Sequence, residues 1–219
     1  MASLLNMSGS LLKMKGLPQG AVDMGLPSGT LWAQGNIVKD AQGNYSIGQP
    51  TDKGCYFTWG NIVGYNTTEI GSASGKYMFN TKNYEQTPGY LIPAGTSIAS
   101  NDSEHDAAVA LIGNGFYMPT NTQIQELLSS ANTVITDDTV DGVSGKRITS
   151  VRNPNASIFL PFSGHYFNMR LYDGDRVQVW SSANIDSYYA YILGLPVVYG
   201  NTTLLRCIGA AIRPVHNAI

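Results

Sequence analysis

The stretch YMPTNTQIQELLSS, residues 117–130, carries the clearest secondary-structure signal of the chain. Thr120 is a residue type that caps helices, and Gln123 follows three positions later, which is the spacing of a capping box. Apolar residues then recur at helical spacing, Ile124 and Leu127 among them. The stretch therefore predicts an amphipathic helix that ends near its last serine.

Apolar runs on both sides of this helix have the character of strands. Val143–Val151 and Ala156–Phe162 follow it, and the turn formers Asn153-Pro154-Asn155 separate them. Before the helix, short apolar pieces such as Leu31-Trp32-Ala33 are interrupted by Gly, Pro, Asn and Ser. A few helices among many short strands predict an α+β domain.

A second helix is predicted at Asp102–Ile112, where Asp102 or Ser103 can cap the first turn. Residues 64–100 have few helix signals and predict a long irregular insert, and from Gly164 onward only short strands and loops are expected. Residues 1–20 predict an appendage for attachment or oligomerisation, or else a partly ordered tail. The expected organisation is this appendage and one domain at 21–219, with two helices, short antiparallel strands and long loops.

Composition excludes some functions and favours recognition. The net charge is −2 and only 13% of residues are charged, so no basic run exists to follow nucleic-acid phosphates. Polarity comes from Gly, Ser, Thr, Asn and 13 tyrosines, a mixture typical of binding loops and also of ordinary loop-rich proteins. No apolar run predicts a membrane span, and the first residues lack the pattern of a secretory signal. We therefore expect no export by the usual signal route. If the protein acts outside cells, another carrier takes it there, and a virus particle is one such carrier.

Cysteine and histidine offer little chemistry. Cys55 and Cys207 stand far apart without a CxxC pair, so two free thiols are expected. The histidines are His105, His165 and His216, and none has metal-ligand or nucleophile-elbow spacing around it. A metal at His105 would need further ligands that the sequence does not show.

Acidic residues are sparse and predict no acid/base pair. Asp137, Asp138 and Asp141 favour a solvated hairpin over a calcium site. We therefore expect no catalytic residue, no cofactor and no metal, with ligand binding that does not depend on calcium.

A series of short pieces in sequence order carries a family resemblance. The pieces are Ala21–Ala33, Gly54–Gly60, Asp106–Ala108, Tyr117–Thr120, Glu126–Leu128, Ser157–Pro161 with Gly164, Trp180–Ser182, Ala190-Tyr191, Gly209 and Ile212–Val215. On these pieces the chain resembles the "major paralogous domain" proteins of gut Bacteroidetes-type bacteria and their phages, from about Ala21 to Val215. The resemblance implies a C-type-lectin-like fold, and some family members are variable proteins of diversity-generating retroelements.

The matching pieces are expected to form the frame of the domain. Trp32, Trp59 and Trp180 are large rings suited to core anchoring. Arg213 is interpreted as a structural residue, whose guanidinium makes a buried fork of hydrogen bonds to a carboxylate or to carbonyls.

The segments between the matching pieces are expected to bind the ligand. In the family these positions are typically small and polar, whereas here they mix aromatic, apolar, acidic and basic types. The predicted ligand-binding residues are Phe167, Asn168, Arg170, Tyr172, Asp173, Asp175, Arg176, Asn184, Ile185, Asp186, Tyr188, Tyr189, Tyr199, Asn201, Leu204 and Leu205.

Diversification by a retroelement is one origin for this mixture. Such elements mutate adenines, so asparagine codons can change to many residue types but not readily to Lys or Glu. The chain has neither Lys nor Glu after Arg147, while Met169 and Gln178 fit only if they are fixed or encoded differently. The alternative is a fixed family member whose loops drifted.

These observations predict a non-catalytic receptor-binding or adhesin protein at a phage tail or fibre tip, where it contacts a bacterial surface glycan or protein. The N-terminal segment would bind other virion proteins, and fibre symmetry suggests a homotrimer. One alternative is a lectin-like protein of the bacterial cell surface. The other is an enzyme of the formylglycine-generating type, whose cysteine spacing Cys55 and Cys207 do not reproduce.

Overall fold

The fold is taken from a computed structural model of the 219-residue chain. The structure describes residues 16–72, 79–81, 85, 87–196 and 202–217. Most of the predicted appendage, residues 1–15, lies outside the described residues.

Short strands dominate the described chain. The strands are β1 (Ala21–Asp23), β2 (Leu31–Ala33), β3 (Ile37–Lys39), β4 (Tyr45–Ile47), β5 (Phe116–Tyr117), β6 (Thr133–Val140), β7 (Val143–Ser150), β8 (Ser157–Pro161), β9 (His165–Phe167), β10 (Arg170–Tyr172), β11 (Val177–Asn184), β12 (Tyr189–Leu195), β13 (Thr203–Leu205), β14 (Gly209–Ala210) and β15 (Val215–His216). The helices are α1 (Thr67–Ile70), a 3₁₀ helix at Pro88–Leu91, α2 (Ala107–Leu111) and α3 (Asn121–Leu128).

The strands form small antiparallel sheets. One sheet has the order β1-β2-β15-β5, so the last strand lies between strands from the beginning and the middle of the chain. The others have the orders β3-β4, β6-β7-β8, β10-β9-β14 and β11-β12-β13. Mixed structure with few helices confirms the prediction of an α+β domain.

Helix α3 begins and ends where the sequence predicts. The Thr120 hydroxyl accepts a hydrogen bond from the Gln123 amide, and the Gln123 side chain accepts one from the Thr120 amide at 2.9 Å. Both donors would otherwise be unpaired at the helix N-terminus. Ile124 and Leu127 are buried in a core that also contains Trp32. The amphipathic helix is therefore confirmed.

Helix α2 is shorter than predicted, and its expected cap is wrong. The helix covers Ala107–Leu111, and Asp106 is the capping residue, with extended backbone angles. Asp102 instead accepts backbone hydrogen bonds from Glu104 and His105 in a separate turn. Asp106 precedes the helix, because its buried carboxylate caps α2. The same carboxylate also accepts a hydrogen bond from the backbone amide of Met118, which lies between β5 and α3 in the sequence.

The insert contains a helix that the sequence reading missed. Asn66 and Glu69 form a capping box around α1, and Glu69 also accepts a hydrogen bond from Lys39 at 2.6 Å. Four residues are too few to show helical periodicity, although the spacing of Asn66 and Glu69 is that of a capping box.

The C-terminal half contains longer strands than expected. β11 and β12 span eight and seven residues and pair along most of their length. Nearly all of β11 is buried, so its sequence lacks the alternation that marks a half-exposed strand. The expectation of only short strands after Gly164 is therefore wrong.

The predicted frame residues anchor the core as expected. Trp32, Trp59 and Trp180 are fully buried. The indole nitrogen of Trp59 donates to the carbonyl of Ser181 at 2.8 Å, and that of Trp180 donates to the carbonyl of Phe57 at 2.7 Å. These two bonds join the centre of β11 to the segment that follows β4 and precedes α1 in the sequence.

Arg213 is also a structural residue, as predicted. Its guanidinium is fully buried and donates to the Asn36 side chain and to the carbonyls of Ala33 and Phe159, at 2.8 to 3.1 Å. The partners are neutral oxygens from two distant parts of the chain, so Arg213 joins the first sheet to β8.

Candidate binding surface

The β9–β10 hairpin carries the first group of predicted binding residues. Its two turn residues, Asn168 and Met169, both have positive φ, 47° and 63°, as a two-residue type I′ turn requires. The backbone amide of Asn168 donates to the carbonyl of Phe79 at 2.9 Å, which fixes the tip to the insert. Arg170, Leu171 and Tyr172 are all exposed along β10. We call residues 167–172 the hairpin surface.

Polar side chains support the hairpin from behind. His165 Nδ1 donates to Gln178 Oε1 at 2.6 Å, and Gln178 Nε2 donates to Asp173 Oδ2 at 3.1 Å. The His165 ring stacks on Tyr172, with the ring centroids 5.6 Å apart. Gln178 is fully buried, so it belongs to the frame, and its bonds orient the exposed tyrosine.

The close return of the chain behind the hairpin requires a glycine. Gly164 has a φ of 56°, and a Cβ there would lie 2.3 Å from the carbonyl oxygen of Tyr172. Next to this contact, Asp175 is exposed, and Arg176 is half-buried with its Nε 4.0 Å from Asp173. These predicted residues thus lie in the turn that leads from the hairpin into β11.

The β11–β12 turn carries the second group. One carboxylate oxygen of Asp186 accepts from the backbone amides of Tyr188 and Tyr189, each at 2.7 Å, and so closes a tight turn. Ile185, Tyr188 and Tyr189 are exposed around it, and Leu205 is half-buried opposite Tyr189 on β13. We call residues 185–189 the loop surface.

Two predicted binding residues lie in the interior instead. Asn184 is buried, and its side chain accepts from the amide of Gly95 at 2.6 Å and donates to the carbonyl of Pro93 at 3.0 Å. Leu204 is 8% exposed and packs in the second core cluster with Trp59. Asn184 directly precedes the exposed Ile185, and Leu204 lies between two half-buried residues of β13, so the sequence could not assign which side chains face inward. Tyr199 and Asn201 lie outside the described residues.

The cysteines are buried, and His105 has an acidic partner. Cys55 and Cys207 are free and buried, and burial raises the pKa of each thiol to about 11. Such thiols carry little thiolate near neutral pH, which is the nucleophilic form. His105 lies 2.9 Å from Asp102 in a turn. Within the described part of the chain, no group of three or more His, Cys, Asp or Glu could hold a metal ion.

No helix of the described residues is long and apolar enough to cross a membrane.

Comparison of the chain with protein-family models, with curated proteins and with solved structures finds no match.

Three residues next to the loop surface were missed by the sequence reading. Arg206 is fully buried beneath the loop, and Tyr90 and Leu91 are exposed on the 3₁₀ helix beside it. The position of Arg206 within the apolar stretch LLRCIG indicates a buried structural cation. Tyr90 and Leu91 had no such signal, since about a hundred residues separate them from the loop that they join.

Proposed function

We propose that this chain is a non-catalytic recognition domain of C-type-lectin-like fold, and that the hairpin surface and the loop surface contact its ligand. One observation carries the proposal. Among the described residues, eleven large hydrophobic side chains are exposed, and five of them lie between Leu171 and Tyr189. Two of these five lie on the hairpin surface and three on the loop surface, and groups of exposed apolar side chains on a well-packed frame are typical of interaction sites.

The architecture supports the C-type-lectin-like assignment. Pieces that resemble the family, such as Trp32, Trp180 and Arg213, are buried in the frame, and the side chains of Trp180 and Arg213 are hydrogen-bonded there. The segments between them carry the exposed side chains. A stable frame with variable exposed segments is an arrangement that suits recognition.

The biological setting that we propose is a phage tail or fibre tip, where the domain binds a molecule of the bacterial surface. A lectin-like protein of the bacterial surface is the alternative setting. The N-terminal segment would attach the domain to other virion proteins, and a homotrimer would suit a fibre. The supporting observation is the resemblance, together with a surface that is aromatic and apolar but not basic.

A cell-binding experiment tests this function. The fluorescently labelled chain is titrated onto a panel of intact Bacteroidetes strains, and bound label is measured by flow cytometry. We expect saturable binding to a subset of strains. The double variant Tyr188→Ser/Tyr189→Ser should weaken that binding by about ten-fold or more, as expected for interface aromatics.

The matched control is Val134→Ser/Val151→Ser. Both valines are exposed apolar residues at the open end of the β6–β7 hairpin, Val134 within β6 and Val151 directly after β7, away from β9–β13 in the sheet order. This variant should bind like the parent chain. Binding to no strain would contradict the function, whereas equal losses in both variants would contradict the location of the surface.

Diversification of the surface by a retroelement is a separate part of the proposal. Gln178 is buried, which suits its interpretation as a fixed position. A near-repeat of the coding segment for Gly164–Val215, differing at adenines and lying beside a reverse-transcriptase gene, is the expected genomic finding. Its absence would favour a fixed family member with drifted loops.

A further inference from the structure

A groove of about 670 Å³ lies next to the residues with which the described chain begins. Pro18, Gln19 and Gly20, which lead into β1, line it. Most of the other lining residues belong to β4 and to the chain from the end of α2 to β5. Gly16 and Leu17 are exposed and precede this wall, so the chain enters the domain at the groove. We call it the N-terminal groove.

The apolar part of the N-terminal groove comes from three elements. Ile47 ends β4, Leu111 ends α2 with Ile112 after it, and Phe116 begins β5. The three aliphatic side chains are half-buried, and Phe116 is buried. Half-buried apolar side chains gain free energy when another apolar group excludes the remaining water from them. This part of the groove therefore suits apolar side chains.

Carboxamides complete the lining. Gln19, Gln49 and Asn114 are exposed at the groove, and none of the described residues that line it is charged near neutral pH. A carboxamide offers both donors and an acceptor, which are the hydrogen-bonding groups of the peptide backbone. Backbone amides and carbonyls need such partners when a segment is buried. Apolar side chains beside carboxamides thus suit a segment of polypeptide better than a charged small molecule.

The residues that precede the groove in the sequence have the matching composition. Residues 1–15, which lie outside the described part of the chain, contain four leucines and three methionines and no acidic residue. The unit Leu11-Leu12-Lys13-Met14 ends four residues before Pro18. An extended residue spans about 3.3–3.6 Å, so Leu11 reaches up to roughly 25 Å from Pro18. The groove begins at Pro18 and is within that reach.

From this match we propose that residues 11–14 bind in the N-terminal groove of the same chain, with Leu11, Leu12 and Met14 against its apolar part. A short tether holds these side chains at a local concentration on the order of millimolar, which a second copy at micromolar concentration does not reach. Unbranched methionine also adapts to an irregular apolar site.

Docking of residues 11–14 would fix the direction in which the N-terminal segment leaves the domain. The residues before Leu11, which we propose for attachment, would then join the recognition domain without a flexible hinge. The inference concerns the groove and not the hairpin surface or the loop surface, so it does not depend on the ligand.

Amide hydrogen exchange of the full chain, measured by mass spectrometry, tests the docking. In the variant Gln49→Trp, a large side chain at an exposed lining position would fill the groove. We expect the amides of residues 11–14 to exchange about ten-fold or more faster in this variant than in the parent chain. Gln42→Trp is the matched control, since Gln42 is exposed in the β3–β4 turn and does not line the groove. It should exchange like the parent chain.

A chemical probe in the groove tests which residues cover it. Ser46 is an exposed lining residue, and Cys55 and Cys207 are buried, so the variant Ser46→Cys adds one accessible thiol for alkylation by iodoacetamide. The further change Leu11→Ser/Leu12→Ser/Met14→Ser should raise the alkylation rate by about ten-fold or more. Leu4→Ser/Leu5→Ser/Met7→Ser is the control, because it alters the same residue types at the same spacing seven positions earlier.

Each other outcome overturns the inference. Equal exchange of residues 11–14 in the parent chain and Gln49→Trp would show that they do not bind in this groove. Equal alkylation in both triple serine variants would show that residues 11–14 are not the segment that covers it. Protection that disappears on dilution, together with self-association in sedimentation, would assign the segment to the groove of a second copy. Failure of the chain to bind any bacterial strain would contradict the proposed function and leave this inference standing.

Discussion

At the scale of single residues, Asp106 connects two segments that meet only in the folded chain. One carboxylate oxygen accepts from the amides of Ala108 and Val109 at the start of α2, and the other accepts from the amide of Met118 at 2.8 Å. Burial raises the pKa of Asp106 to about 6, although these three amides favour the charged form. The desolvation of the carboxylate is therefore the larger effect.

The variant Asp106→Asn tests this balance. Because the pKa is higher in the folded chain than the ordinary 3.8, the folded state holds the proton more tightly. The stability from this group is thus complete below pH 3.8 and is lost as the pH rises through 6. Between those limits, the unfolding free energy of the parent chain should fall by on the order of 2–3 kcal/mol relative to the variant.

Urea unfolding of both proteins at several pH values measures this difference. A difference that does not change with pH would show that the amide donors cancel the effect of burial.

At the scale of elements, the β9–β10 turn combines a required geometry with an unfavourable residue. A type I′ turn needs positive φ at both central positions. Asn168 adopts that conformation at low cost, whereas Met169, at φ 63°, brings its Cβ close to the backbone. The hairpin surface is therefore built on a strained tip.

Met169→Gly should relieve this strain. We expect the free energy of unfolding to rise by about 0.5–1 kcal/mol, measured by chemical denaturation. Met169→Ala is the matched control, because it removes the same side chain but keeps the Cβ. If both variants change stability equally, the side chain of Met169 matters and its backbone conformation does not.

At the scale of the whole molecule, small sheets are held together by side chains that reach across long sequence separations. The pair of Arg206 and Gly89 spans 117 residues, and the pair of Arg213 and Ala33 spans 180. Charged residues at the surface pair over shorter separations, within one hairpin. Asp137 lies 2.6 Å from Lys146, and Asp138 lies 2.6 Å from Arg147, across the β6–β7 hairpin, where the sequence predicts a solvated hairpin.

Stability and binding should therefore be independent of divalent cations. Added EDTA should change neither the melting temperature nor the affinity for a bound strain, because the acidic residues of the hairpin already have cationic partners. A melting temperature that falls with EDTA and recovers with added calcium would contradict this expectation.

The sequence by itself determined the elements whose signals are local. The capping box of Thr120 and Gln123, the α+β class, the burial of Trp180 and the structural role of Arg213 could all be predicted from residue type and spacing. Local signals suffice here because capping and helical periodicity depend on neighbours within one or two turns.

Only the tertiary structure decided which side chains face outward and which segments meet. Asn184 is buried while Ile185 is exposed, because the side-chain amide of Asn184 forms hydrogen bonds with the backbone of Pro93 and Gly95 in the insert. Arg206 joins the 3₁₀ helix to the loop surface, a contact that no local pattern encodes. Long-range partners set the direction of these side chains. The sequence therefore predicts which segments form the surface, and the tertiary structure determines which of their residues are exposed.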